Sequence, residues 1–275
     1  MFTVTDEELL LLNQVKTQNR MVVGVTILHK LMYVLHHSLN VISVYEITSH
    51  FKLKDEIKMD GLGEPCDMAA CPLNGCLYIT DSKNNCVWRL QASDAKITKW
   101  MANIYEPFTI SVCSNGNVLM VQQPNTVVEY NVEGFIVEKC KVEYLPKIED
   151  IQHAVENEQR HFIVSHGGVR DKVHAVCEVS KDGWLLRSFG SNPGDGAQQL
   201  RSPRHVAVDD QDRVYVVDAS NDRVLQLDKK FHTVLKLPCS AGSQPLRLAI
   251  NNGQILIGKY GVVDIFQTCH TRRYM

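Results

Sequence analysis

The sequence predicts an all-β chain in which one antiparallel sheet motif is used several times, and three observations carry that prediction. RSPRHVAVDDQDRVYVVDASNDRVLQLD (201–228) holds three short alternations of apolar and polar residues separated by polar turns, the pattern of strands joined by hairpins. The same grammar returns along the whole chain at a period of roughly 40 to 50 residues. Beyond about the first fifteen residues, no stretch shows a sustained helical period.

The copies can be taken in order around Tyr215, which centres the second alternation of the quoted stretch. GVTILHKLMYVLHHSLNVISVYE (24–46) places Tyr33 there, and EPCDMAACPLNGCLYITDSKNNCVWRLQ (64–91) places Tyr78. EPFTISVCSNGNVLMVQQPNTVVEYN (106–131) offers Leu119, EDIQHAVENEQRHFIVSHGGVRDKVHAVCEVS (149–180) offers Phe162, and QPLRLAINNGQILIGKYGVVDIFQ (244–267) offers Leu256. These positions are 45, 41, 43, 53 and 41 residues apart. They divide the chain into units at 22–63, 64–104, 105–147, 148–199, 200–242 and 243–267. Sheets of this size stacked around an axis make a six-bladed β-propeller, whose strands are buried on both faces.

The punctuation agrees. Pro65, Pro107, Pro203 and Pro245 each precede a first strand, where no ladder donor is needed. Asn74-Gly75, Asn115-Gly116, Asp210-Gln211-Asp212 and Asn251-Asn252-Gly253 are hairpin turn chemistry. Asp81 and Asp218 stand where a short carboxylate accepts backbone N–H groups, so both are read as turn braces. The last unit stops after its third strand, while residues 6–21 are surplus at the beginning. An N-terminal strand that completes the last blade closes the ring and removes the exposed sheet edges. The alternative is a short helix over Asp6–Val15.

FGSNPGDGAQQLRSPRHVAVDDQDRVYVVDASNDRVLQLD (189–228) resembles an NHL repeat, and ITDSKNNCVWRL (79–90) repeats the middle of that motif. The resemblance implies a six-bladed β-propeller like the C-terminal NHL domain of tripartite-motif proteins. Such domains bind protein or RNA partners while a RING domain transfers ubiquitin, which implies a place in the ubiquitin pathway. This chain carries no RING or B-box array of cysteine and histidine, so ubiquitin transfer by this polypeptide is not expected.

Composition narrows the functional classes. The 275 residues carry 29 Lys and Arg against 31 Asp and Glu, a net charge of −2. There is no global basic field of the kind that marks nucleic-acid binders, so DNA is not expected and RNA ranks behind a protein or peptide partner. The opening MFTVTDEELLLL has acids ahead of its apolar run and is a poor secretory signal. No apolar run approaches the ~18 residues of a spanning helix. The nine cysteines form no dense framework. A cytoplasmic monomer away from membranes is the expectation.

A propeller presents function on the face where chains enter the first strands and where second and third strands are joined. Aligned on Pro203, the entry positions hold Arg204 and His205, Cys66 and Asp67, Phe108 and Thr109, Ile151 and Gln152, and Leu246 and Arg247. The second loops contribute His36 and His37, Lys83, Gln123, His166 and Arg170, Asn221 and Arg223, and Lys259 and Tyr260, with Asp171 nearby. The binding residues expected from this ring are Arg204, His205, Arg247, Lys259, Tyr260, Lys83, Arg223, Asp67 and Thr109. No catalytic residue, cofactor or metal is expected. In that alignment His153 stands where Val206 stands and His205 lies one residue earlier, so the histidines share no level and lack a third ligand. A metal-dependent propeller enzyme, resembling a peptide-amidating lyase or a lactonase, is the alternative. Cys66, Cys71, Cys76 and Cys86 are spaced too widely for zinc knuckles and are read as small buried hydrophobes. The glycine-rich 190–196 is a crossing between sheets, since no helix follows it to bind phosphate.

Overall fold

The computed structural model describes residues 5–37, 39–122, 124–142, 150–168, 172–232, 234–237, 239 and 244–272. Within them every regular element is a strand apart from a single 3-10 turn at Ala219–Asn221. Strand β1 (Thr5–Leu28) is followed by β2 (Leu31–His36), β3 (Val41–Glu46) and β4 (Lys52–Lys58). Four antiparallel four-stranded sheets come next. They are β5 (Pro65–Cys71) to β8 (Ile97–Ala102), through β6 (Cys76–Asp81) and β7 (Cys86–Gln91), then β9 (Ile110–Val112), β10 (Val118–Gln122), β11 (Thr126–Tyr130) and β12 (Ile136–Lys141). The third is β13 (Ile151–Glu156), β14 (Phe162–His166), β15 (His174–Val179) and β16 (Leu185–Ser191). The fourth is β17 (Pro203–Val208), β18 (Val214–Asp218), β19 (Arg223–Leu227) and β20 (Val234–Lys236). The chain ends in β21 (Arg247–Asn251), β22 (Gln254–Gly258) and β23 (Tyr260–Arg272).

Each four-stranded sheet is a meander of neighbours in sequence order, and burial falls from inside to outside. The second strands β6, β14 and β18 are buried along their whole length, whereas the outermost β4 is almost wholly exposed. Six hydrophobic clusters, each drawn mainly from two consecutive units, fill the spaces between sheets. Tyr33 and Val44 pack with Met68 and Leu77, for example, and Tyr215 and Val217 with Leu248 and Phe266. Another cluster joins Leu256 and Val263 near the end of the chain to Val22, Val25 and Met32 near its beginning. The chain is a β-propeller.

The count of separate sheets differs from the sequence prediction. Four stand alone rather than six, and the other strands form one seven-stranded sheet in the order β21-β22-β23-β1-β2-β3-β4. The cause is the continuous β1. Its residues from Thr5 to Lys16 pair antiparallel with β23, while Val22 to Leu28 pair with β2. Its register against β23 breaks between Lys16 and Met21, where the strand passes from one partner to the other. The helix alternative over Asp6–Val15 is excluded, because those residues lie in the ladder.

The expected turns are present. Gly75, Gly116 and Gly253 have φ of 58°, 84° and 73°, values that favour glycine, and Asp212 reaches 60°. The two braces reach backwards as well as forwards. Asp81 accepts hydrogen bonds from the backbone N–H groups of Gly63 (2.9 Å), Glu64 (3.0 Å) and Asn84 (3.2 Å). Asp218 accepts from Arg201 N–H (2.6 Å), Asn221 Nδ2 (2.7 Å) and Arg223 Nε (2.7 Å). Each carboxylate therefore pins the crossing from the preceding sheet onto its own hairpin. Cys71, Cys76 and Cys86 are buried free thiols, and Cys66 is half-buried.

Candidate functional site

The innermost strands carry a repeated irregularity that sets the geometry at the channel mouth. Pro65 faces Asp81 but Asp67 faces Thr80, and Pro203 faces Asp218 but His205 faces Val217. Likewise Ile151 faces His166 but His153 faces Ser165, and Val22 faces His36 but Gly24 faces Leu35. One residue in each strand, Cys66, Arg204, Gln152 or Val23, is bulged out of register. Bulges of this kind re-aim side chains near functional sites.

All four bulged residues line one cleft of about 370 Å3, together with Phe108, Thr109, Arg247, Ile151 and Pro65. His37, Glu64 and Asp150 complete its charged rim. Phe108 is 41% exposed, and Arg204 is exposed beside it. The cleft thus joins an apolar wall to mixed charges, on backbone held rigid by strand ends.

The residue after three of the bulges turns its side chain inward beneath the cleft. Asp67, His153 and His205 come from three different sheets and are 1%, 1% and 7% exposed. His153 Nε2 lies 3.8 Å and His205 Nε2 3.7 Å from Asp67 Oδ2, and the two imidazoles stack with centroids 3.7 Å apart. Arg247 covers the group. Its Nε is 3.3 Å from Asp67 Oδ1, and it donates to the carbonyls of Val23 (2.7 Å), Leu246 (2.9 Å) and Cys66 (2.6 Å). Asp67 also accepts from Met68 N–H (2.9 Å) and Ile110 N–H (3.1 Å). Burial by itself would raise the Asp67 carboxyl, but Arg247 and the two histidines hold it down at about 2. Burial pushes His205 below its ordinary value, and burial with the neighbouring His205 pushes His153 well below. The group therefore holds one carboxylate, one guanidinium and two neutral imidazoles at neutral pH.

The bulge corrects the level assigned to His153. Ile151 takes the place of Pro203, so His153 is the equivalent of His205, and Asp67 is the equivalent of both. An alignment anchored on proline misses this because the fourth unit has no proline at its entry. Counting two residues from the first strand residue would have found the match.

The nine residues expected to bind separate into three groups. Arg204, Thr109 and Arg247 line the cleft, and Asp67 and His205 lie buried under it. Lys83 and Tyr260 are exposed but do not line the cleft. Arg223 and Lys259 are structural, which corrects their assignment as surface contacts. Arg223 pairs with Asp218 and donates to the carbonyls of Asp195 (3.0 Å), Gly196 (3.3 Å) and Gln199 (2.6 Å), fastening the glycine-rich crossing. Lys259 is wholly buried, and its Nζ donates to Asp264. Gln123, Arg170 and Asp171 lie outside the described residues.

Several solved structures share this fold. A catalytically inactive virginiamycin B lyase from Staphylococcus aureus with quinupristin is 12% identical over 95% of this chain and 99% of that one, with a TM-score of 0.67. A protein of unknown function from Bacteroides thetaiotaomicron is 11% identical over 97% of this chain and 77% of that one, with a TM-score of 0.73. A chain of a nidogen/laminin complex is 13% identical over 79% and 80%, with a TM-score of 0.61. At such identities the likeness shows the fold alone. No family model and no curated protein matches the sequence.

Proposed function

We propose that the chain is a non-catalytic recognition module, and that its bulge-lined cleft anchors a segment of a partner protein. The observation that carries this reading is the cleft itself. Its volume of about 370 Å3 suits one or two anchoring side chains, and Val23, Phe108, Pro65 and Ile151 supply apolar contact beside the charges of Arg204, Glu64 and Asp150. A surface built on strand ends loses little conformational entropy on binding. The reading includes a six-bladed ring of NHL type, in which the seven-stranded sheet is two blades joined through β1. The pairing of Thr5–Lys16 with β23 and the six inter-unit clusters support that count.

A protein partner ranks above RNA because Glu64 and Asp150 share the rim with the two arginines, leaving no basic excess for phosphate. The enzymatic alternative is weaker for a similar reason of access, since His153 and His205 lie buried beneath the cleft walls.

The test is a crosslinking capture in which bound protein and RNA are identified separately. Arg204→Glu combined with Phe108→Ala should abolish recovery of the protein partner while leaving the melting temperature unchanged. Arg247 is unsuitable for the test because its guanidinium holds three carbonyls and Asp67. Undiminished recovery by the double variant would reject the cleft as anchor, and cleft-dependent recovery of RNA alone would replace the protein with a nucleic acid.

A further inference from the structure

We propose that Asp67, His153 and His205 hold one divalent first-row transition ion at the channel axis, linking the innermost strands β5, β13 and β17. Two imidazoles and one carboxylate are a donor set that such ions take, with further positions left for water. Ligand atoms ~2.1 Å from a shared ion lie about 3.0–4.2 Å from one another. The 3.7 and 3.8 Å separations from Asp67 Oδ2 to the two Nε2 atoms fall within that range, and the two stacked imidazoles must tilt apart for both lone pairs to meet one ion.

A second observation points the same way. His153 Nε2 is buried without a hydrogen-bond partner among the described residues, although it faces Asp67 Oδ2. Buried polar atoms are rarely left so, and a bound ion satisfies this one. Ligation through Nε2 places the ring proton on Nδ1. Ion binding therefore requires loss of the contact from Val206 N–H to His153 Nδ1, which is long at 3.4 Å.

The two carboxylate oxygens divide the work. Arg247 and Met68 N–H engage Oδ1, whereas both histidines address Oδ2, which accepts one hydrogen bond, from Ile110 N–H, and keeps its other lone pair for the ion. The arginine charge therefore lowers affinity without occupying the ligand position. Cys113, Glu129 and Glu156 form a comparable grouping elsewhere, but their acids are already matched by cations. Lys181 Nζ is 2.9 Å from Glu129, and Arg160 Nε is 3.0 Å from Glu156.

The inference is tested on the full chain, stripped with a chelator and titrated with Co2+ and then Zn2+. One Co2+ per chain should bind, with visible d–d bands, no thiolate charge-transfer band, and displacement by Zn2+. Saturation should raise the melting temperature by roughly 5 °C at about a hundredfold excess over Kd. His205→Ala and the more conservative His153→Gln should each weaken binding at least tenfold while keeping the native circular-dichroism spectrum. Absence of stoichiometric binding by the wild-type chain would overturn the proposal. So would a thiolate band, which would place the ion at a cysteine, or undiminished binding by a folded variant. Should a variant fail to fold, the wild-type stoichiometry and Co2+ spectrum decide alone. None of these readouts involves the partner of the cleft.

Discussion

Gly24 occupies in the first unit the channel-facing level that Asp67, His153 and His205 occupy in theirs. A Cβ at this position would lie 2.7 Å from Met68 Cβ and 3.2 Å from Leu35 Cβ. Neither neighbour is a flexible tip, so Gly24→Ala should cost about 1–3 kcal/mol in denaturant unfolding, as overpacking does. Asp218 is wholly buried and pairs with Arg223, itself largely shielded. Asp218→Ala leaves Arg223 Nε and Arg201 N–H without their acceptor and the guanidinium without its counter-charge, and should destabilise by about 3–5 kcal/mol. The turn-brace role of Asp218 was legible because its spacing to Asn221 is local. The structural roles of Arg223 and Lys259 were not. In each case the partner that buries the charge becomes a neighbour only once the hairpin has formed, and a sequence shows the cation without its burial.

At the scale of elements, β1 has the largest consequences. Counting strands predicted that the N-terminal segment completes the last unit. The apolar run Leu9–Leu12 by itself fits a helix or a strand equally well, and pairing with β23 decides between them. Gln14 Nε2 donates to Asp264 Oδ1 (2.8 Å), and Lys259 holds the other oxygen of the same carboxylate, so one buried acid fastens the seam. Lys259→Met should strand Asp264 and lower stability by about 3–5 kcal/mol, read as an earlier urea midpoint. Removal of residues 1–16 should expose β23 as a free edge, giving a lower melting temperature and oligomers on size-exclusion chromatography. The bulges were hidden from the sequence, since one extra residue in a strand changes no residue type. They decide what lines the cleft, which is why the ring of expected contacts was only partly correct.

For the molecule as a whole, buried histidines set the response to acid. Burial, with Arg20 adding to it, pushes His36 down to about 4, against an ordinary 6.5. Between those values the unfolded chain binds a proton that the folded chain does not. Stability is therefore complete above about pH 6.5 and declines as pH falls toward 4, by on the order of 1–3 kcal/mol from this residue. Melting temperatures measured from pH 7 to pH 5 should fall, and His36→Gln should flatten the slope. Among the described residues no helix is long and apolar enough to cross a membrane.

The pairing of Thr5 with Arg272 also fixes an order of events during synthesis. Strand β1 leaves the ribosome long before its ladder partner β23, so it must wait unpaired while nearly everything between them is translated. Leu10, Leu11 and Leu12, still about half exposed in the finished protein, are the residues at risk during that delay. Nascent chains of this protein should accordingly depend on chaperones that shield this leucine run, and should release them only after β23 has emerged.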